Sequence, residues 1–478
     1  MVSNNASSAS APENDPLTSL TLDDRFEYSG MDFTEAFDAL RETHTELSVA
    51  ASKLDRLGSI WDSLPPGVEI SVEDRKRVVS ALQAIPEQEF GPTTLLDTLW
   101  EVTAEDPWGP MLAMGAMKKF YRPAREPIFH GAMLISTVAQ LEGHLSTLAE
   151  NYYRAAPAAL HDVPKEATKE FSLKDLQALG SIELAVESAI QNRVSKLSFG
   201  SLTEWRRFFK DRMSIDFADL GTPWDVTLEI FERRHCLVHS EGRASARYTK
   251  TVNGVSANAD LRPDEKYVTE AIDALEVLGT LLHASVWRKF TKTPDEIVSQ
   301  IESTAFSALK EGRWAFSLPL YRYWQELPLS NQEQMMARVN IWLARKGIEG
   351  LEAIREEVEA WDVSGYDDLY VFAKACILDD LDEAFAMVTP LIERDKLSGA
   401  DLATWPLTAS LRADPRIREY SELVRGYLAT EAEASILAAE DRLEEDVDEA
   451  HDAGIADAPL PAEDLATLPE SSAPPSPR

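Results

Sequence analysis

Arg234 and His239, an arginine and a histidine with four residues between them, lie in the segment Phe231–Arg243, FERRHCLVHSEGR. A guanidinium grips phosphate oxygens with a planar fork of donors and stays protonated. An imidazole can take and return a proton near neutral pH. Together they suit chemistry on a phosphodiester. Arg233 and His235 adjoin the pair, and Arg243 follows Gly242. Val226, Leu228, Ile230, Phe231, Leu237 and Val238 lead in and interleave, which predicts a helix packed on one side, wet on the other and stopped by Gly242. At 100° per residue, Arg234 and His239 lie about 140° apart around such a helix. A straight helix therefore aims both at one phosphate only with a bend or a second surface. His235 and His239 also share a helical face at i, i+4, a spacing that suits zinc. A metalloprotease helix, however, needs Glu where Cys236 stands, and the neighbouring arginines repel a cation.

The elements that position these residues read as α throughout. Of 478 residues, 44% are hydrophobic, so a sizeable core is available. Runs of Ala, Leu, Glu and Arg dominate, with little β-branched alternation. A net charge of −35 argues against a broad nucleic-acid or anionic-membrane surface, though not against a local basic cleft. Between Lys196 and Lys250 ten Lys/Arg face eight acids, a balance of +2. Cys236 and Cys376 form neither a disulfide framework nor a zinc spacing. With no signal-like start and no apolar run of ~18 residues, a soluble cytoplasmic protein with no membrane contact is expected.

Taken in order, residues 1–29 are Ser/Asn/Ala/Asp-rich and expected to be disordered. Residues 30–126 form an N-terminal helical region. Its first helix carries a seam of Phe33, Phe37, Leu40, Leu47 and Leu54 with His44 and Ala51, ending near Gly58 or Pro65-Pro66. A capping signal at Ser71 and helical pieces at Thr93–Thr103 and Trp108–Phe120 follow. Residues 127–291 hold helical patterns at Ile128–Tyr153, Leu173–Lys196, Ser201–Met213, Pro223–His239 and Tyr267–Phe290. Glu142 and His144 interrupt the first of these and read as surface or helix-interface groups. Tyr248 and Val255 in the loop after Gly242 offer short strand content. Trp205, Phe208 and Phe209 beside Arg206, Arg207 and Lys210 have two readings, an amphipathic helix with core aromatics, which is preferred, or a path for single-stranded RNA. In residues 292–429, helical hairpins turn at Gly312, Gly347 and Asp380, close to the ~34-residue period of tetratricopeptide-like arrays that bind proteins. Residues 430–478, with 14 acids against two arginines, are expected to be a largely disordered acidic tail that solvates the protein or competes with RNA for the basic window.

The motif of Arg234, the polar His235 and His239, with the V-H-x-x-G-R ending at Val238–Arg243, resembles that of HEPN-domain proteins, where Asn is commoner at the second position. Placement at the end of the penultimate long helix of the group Pro127–Thr291 extends the resemblance to about a third of the chain. The resemblance implies a metal-independent, cofactor-free endoribonuclease acting on single-stranded RNA. The ribose 2′-hydroxyl would attack the adjacent phosphorus to leave a 2′,3′-cyclic phosphate and a 5′-hydroxyl. His239 would transfer the proton and Arg234 would stabilise the phosphorane charge. Arg233 and His235 would orient substrate or hold His239, and Arg243 would take a neighbouring phosphate. It further implies a homodimer pairing the motif helices across one cleft, and a toxin or anti-phage role with a regulatory partner on the repeats. HEPN domains also occur as inactive dimerisation or binding modules, which would make the chain a scaffold.

Overall fold

Apolar residues at helical spacing run through the chain, and among the described residues every regular element is a helix. The sole ladder is an isolated antiparallel bridge between Arg243 and Asp260. The structure, a computed structural model, describes residues 20–55, 72–85, 92–103, 111, 125–161, 171–291 and 294–429. The Gly58 and Pro65-Pro66 helix end, the Ser71 cap, all but Met111 of Trp108–Phe120, and the tail from residue 430 lie outside these. In order, the helices are α1 (Leu22–Asp55), α2 (Val72–Gln83), α3 (Pro92–Val102), α4 (Arg125–Ala155), α5 (Leu173–Leu179), α6 (Ile182–Ser198), α7 (Leu202–Met213), α8 (Trp224–His239), α9 (Ala246–Thr251), α10 (Glu265–Trp287), α11 (Pro294–Lys310), α12 (Trp314–Gln325) and α13 (Asn331–Glu349).

Three long helices, α1, α4 and α10, pack on one another and form the frame. α1 begins earlier than composition suggested, inside the stretch expected to lack structure. Thr21 and Asp24 cap it reciprocally, each accepting the other's backbone N–H at 3.2 and 2.9 Å. One turn on, Phe26 is fully buried, stacked with Trp287 and Phe290, and Trp287 Nε1 donates to Asp23 at 2.9 Å. The seam of α1 is Phe26, Phe33, Phe37, His44, Ser48 and Ala51, whereas Leu47 faces solvent. Phe33 lies against Gly279 of α10 so closely that a Cβ there would fall 2.1 Å from its ring. Only glycine permits this crossing. The other face of the contact is α4, where the Phe33 ring stacks on His144 with centroids 4.1 Å apart. α1 is thus a wall of the same bundle as α4 and α10 rather than part of a separate N-terminal region, which corrects the boundary drawn at residue 126.

On α4 the apolar stripe is as the spacing predicted, with Met133, Leu134, Val138, Leu141, Leu145 and Leu148 all buried. His44 and His130 share a buried contact, Nε2 to Nδ1, of 3.1 Å. α8, the motif helix, packs on α4, α9 and α10. The chain divides into two compact units at Ala344 and Arg345, inside α13. α11 and α12 therefore belong with the bundle, not with a repeat region starting at 292. Arg313 at their junction pairs at 2.8 Å with both Asp273 and Glu276 of α10. The expected turn at Gly312 is present with φ of 73°. Gly347 lies inside α13, and the turn comes at Gly350, so the even period is lost. In the second unit, α14 (Arg355–Glu359) precedes a hairpin of α15 (Asp368–Leu378) and α16 (Leu381–Glu393), which turns at Asp379 and Asp380 as read from the sequence. Tyr248 is helical and buried in α9, not strand. Among the described residues, no helix is long and apolar enough to cross a membrane.

Candidate active site

α8 ends where its hydrogen bonds are taken over by a tight turn. Ser240 and Gly242 both donate to the carbonyl of Cys236, at 2.9 and 3.1 Å. Gly242 has φ of 74°, and a Cβ would meet Arg262 at 3.0 Å, so the helix stop needs glycine. The chain then folds back and buries Ala244, Tyr248 and Leu261 against Cys236. This small core fixes the last turn of α8, which carries the arginines and histidines.

Arg234 donates from Nη2 to Glu142 Oε1 on α4 at 2.5 Å, and its buried Nε has no acceptor. His235 is half-buried, and its ring meets that of the exposed His239 with centroids 4.6 Å apart. Arg234 and His235 line a cavity of about 540 Å³ together with Glu142, Glu232, Arg247 and Phe199; the first turn of α7 closes one side. His239 stands outside the lining, against His235. The pair that shares the cavity is therefore Arg234 with His235, and His239 reaches it through its neighbour.

Two residues expected to meet substrate lie away from the cavity. Arg233 turns away from the cavity and donates to Glu229 at 2.7 Å and to the carbonyl of Leu261 at 3.1 Å, with its guanidinium 4.0 Å from the Tyr267 ring centroid. Tyr248 and Tyr267 donate to the same Glu229. Burial, with that carboxylate, keeps both phenols protonated. Arg233 is a strut that ties α8 to α9 and α10. Arg243 is exposed on the bridge to Asp260, with Nη1 3.4 Å from the Asn258 carbonyl, and takes no part in the cavity. Trp205, Phe208 and Phe209 are buried, and Arg206 and Lys210 pair with Asp216 at 2.5 and 2.7 Å. The core reading of α7 holds, since its aromatics are buried and present no open face for a base to stack on.

The residues missed are mostly the partners. Arg247 grips Glu232 with Nε and Nη2 at 2.8 and 2.6 Å. Leu228, Phe231, Glu232 and His235 recur at helical spacing, a signal that could have marked the cavity face. Burial raises the Glu142 pKa against the opposing pull of Arg234. Burial, then Arg247 and His239, lowers that of His235, so the imidazole is neutral and able to accept a proton at neutral pH. Among the described residues no three His, Cys, Asp or Glu side chains are grouped as a metal would need. No protein-family model, curated protein or solved structure matches the chain.

Proposed function

We propose that this chain is a HEPN-type endoribonuclease that cleaves single-stranded RNA without a metal, acting in the cytoplasm as a homodimer. The observation that carries the reading is the meeting of Arg234 and a neutral His235 in one cavity, with His239 against the His235 ring. The 2′-hydroxyl gives its proton to the histidine pair as its oxygen attacks phosphorus. The protonated pair then gives that proton to the 5′-oxygen as the P–O5′ bond breaks, and a 2′,3′-cyclic phosphate remains. Arg234 stabilises the charge on the non-bridging oxygens, where a planar donor fork is best matched. A second copy would bring its own α8 to the same phosphate, which removes the problem of the 140° separation. Val226 and Val238 of α8 are each more than two-fifths exposed and give such a contact apolar surface.

The test is cleavage of total RNA by the purified full chain, with product ends mapped. Arg234→Ala or His239→Ala is expected to abolish cleavage with the melting curve nearly unchanged, because His239 is exposed and the Arg234–Glu142 pair is only partly buried. EDTA leaves the rate as it was. Full activity in His239→Ala, or loss of cleavage in EDTA, defeats the reading. One observation favours the inactive-module alternative: Glu142 already neutralises Arg234. Binding of RNA without any cut ends in the same assay selects it.

A further inference from the structure

Phe199 is the most exposed large apolar side chain among the described residues, at 91%. It is also one of the residues lining the cavity of Arg234, His235 and Arg247. An exposed phenyl ring on a slack loop would carry no argument, but the backbone that carries this one is held from both sides. Its N–H donates to the carbonyl of Ser195 at the end of α6. The next residue, Gly200, leaves no room for a side chain: a Cβ would fall 2.5 Å from the Glu204 carboxylate and 2.9 Å from the Leu197 carbonyl. Ser201 then opens α7 by donating its N–H to Glu204 at 2.7 Å. The preceding Ser198 is bound through Oγ to Ser146 Oγ at 3.0 Å, and Ser146 in turn donates to the carbonyl of Glu142. The backbone that presents the ring is thus fixed at the cavity rim and tied to α4, whose Glu142 pairs with Arg234.

We propose that Phe199 is a stacking platform for the nucleobase adjoining the phosphate that Arg234 receives. The inference rests on the RNA reading above. Its chemistry is that of an unpaired base, whose π-face pairs with an aromatic ring while cations beside it meet the backbone. Both residue types line one cavity, and although Leu202, Leu228 and Phe231 also contribute, the charged and polar lining suits no deeply apolar ligand. The platform selects single strands, because a paired base offers no free face at that position.

The probes are short 2′-O-methyl oligoribonucleotides, which lack the attacking hydroxyl and so bind without being cut. Phe199→Ala is expected to weaken binding about tenfold, Phe199→Trp to restore it, and an abasic residue in the oligonucleotide to remove the difference between wild type and Phe199→Ala. The exposed position makes a folding defect a poor explanation, and Phe199→Trp controls for it. Equal affinity of wild type and Phe199→Ala, or a loss that the abasic probe fails to erase, overturns the platform. So does a change in dimer dissociation with oligonucleotide affinity unaltered, which assigns the ring to a protein contact. Binding that depends on Phe199 in a protein that cuts no unmodified RNA keeps the platform and removes the nuclease reading.

Discussion

Glu142 occupies Nη2 of Arg234, so under the RNA reading it competes with a phosphate oxygen for that donor. The pair is only partly buried, so its net contribution to stability is small once solvent screening is counted. Its effect on binding is larger, since an incoming phosphodiester must displace a charge of its own sign. Glu142→Gln keeps an acceptor for the guanidinium but removes that competition. KM for RNA is expected to fall about threefold to tenfold, most at low salt, in a Michaelis series at two salt concentrations. An unchanged KM means that Glu142 does not gate the site. This residue shows how far the sequence carries. Arg234, His235 and the Gly242 stop are legible from spacing within a dozen positions. The partner of Arg234 lies 92 positions away, and a carboxylate on an apolar stripe looks the same whether it faces water or a guanidinium. Phe199 was equally hidden, because an aromatic residue after a helix reads as core until neighbours are known.

The frame helices carry a liability of their own. His144 of α4 and His283 of α10 lie face to face, centroids 5.3 Å apart, among Phe26, Phe33 and Trp287. Among the described residues neither ring nitrogen of His283 has a hydrogen-bond partner of good geometry. Burial drives the His283 pKa from 6.5 to about 4 and holds that of His144 well down, with repulsion from His283 adding to it. A native-state pKa below the unfolded one means the unfolded chain takes the proton first. Stability is therefore full above pH 6.5 and falls as pH drops toward 4, by about 3 kcal/mol for His283 alone. Replacing His283 with Leu should flatten the dependence of the melting temperature on pH between 6.5 and 4; an unaltered slope would exonerate the histidine. The heptad-like seams of α1 and α4 were readable because period is a local property. The α1 start was not, since Thr21-Leu-Asp-Asp borders a polar run, and composition outweighed a four-residue cap.

At the scale of the molecule, the α1 contacts predict that residues 127–291 do not fold alone. Removing α1 strips Phe26, Phe33 and Phe37 from α4 and α10 and leaves an apolar face bare. Expression of 127–291 should give aggregate or a broad, non-cooperative melt, where the full chain melts cooperatively; a soluble, cooperative fragment would restore the separate N-terminal region. Domain limits are the least legible feature in a helical sequence, because a helix that closes a bundle and one that starts a new unit carry the same stripe. The shared-cleft dimer makes the remaining prediction. Specific activity should fall on dilution in step with dimer dissociation seen by mass photometry, and a fully active monomer rules the shared cleft out.

The hydrogen bond between Asp23 and Trp287 spans 264 positions, and it sets a clock. A ribosome adding 5–20 residues per second needs roughly 15–50 s to travel from one to the other. Until the end of that interval α1 has no α10 to close against, and α8 is made only in its last quarter, shortly before α10. A chain terminated between α8 and α10 would thus display the arginine–histidine motif without the frame that positions it, and any activity that needs the motif in place must wait until about three fifths of the polypeptide is made.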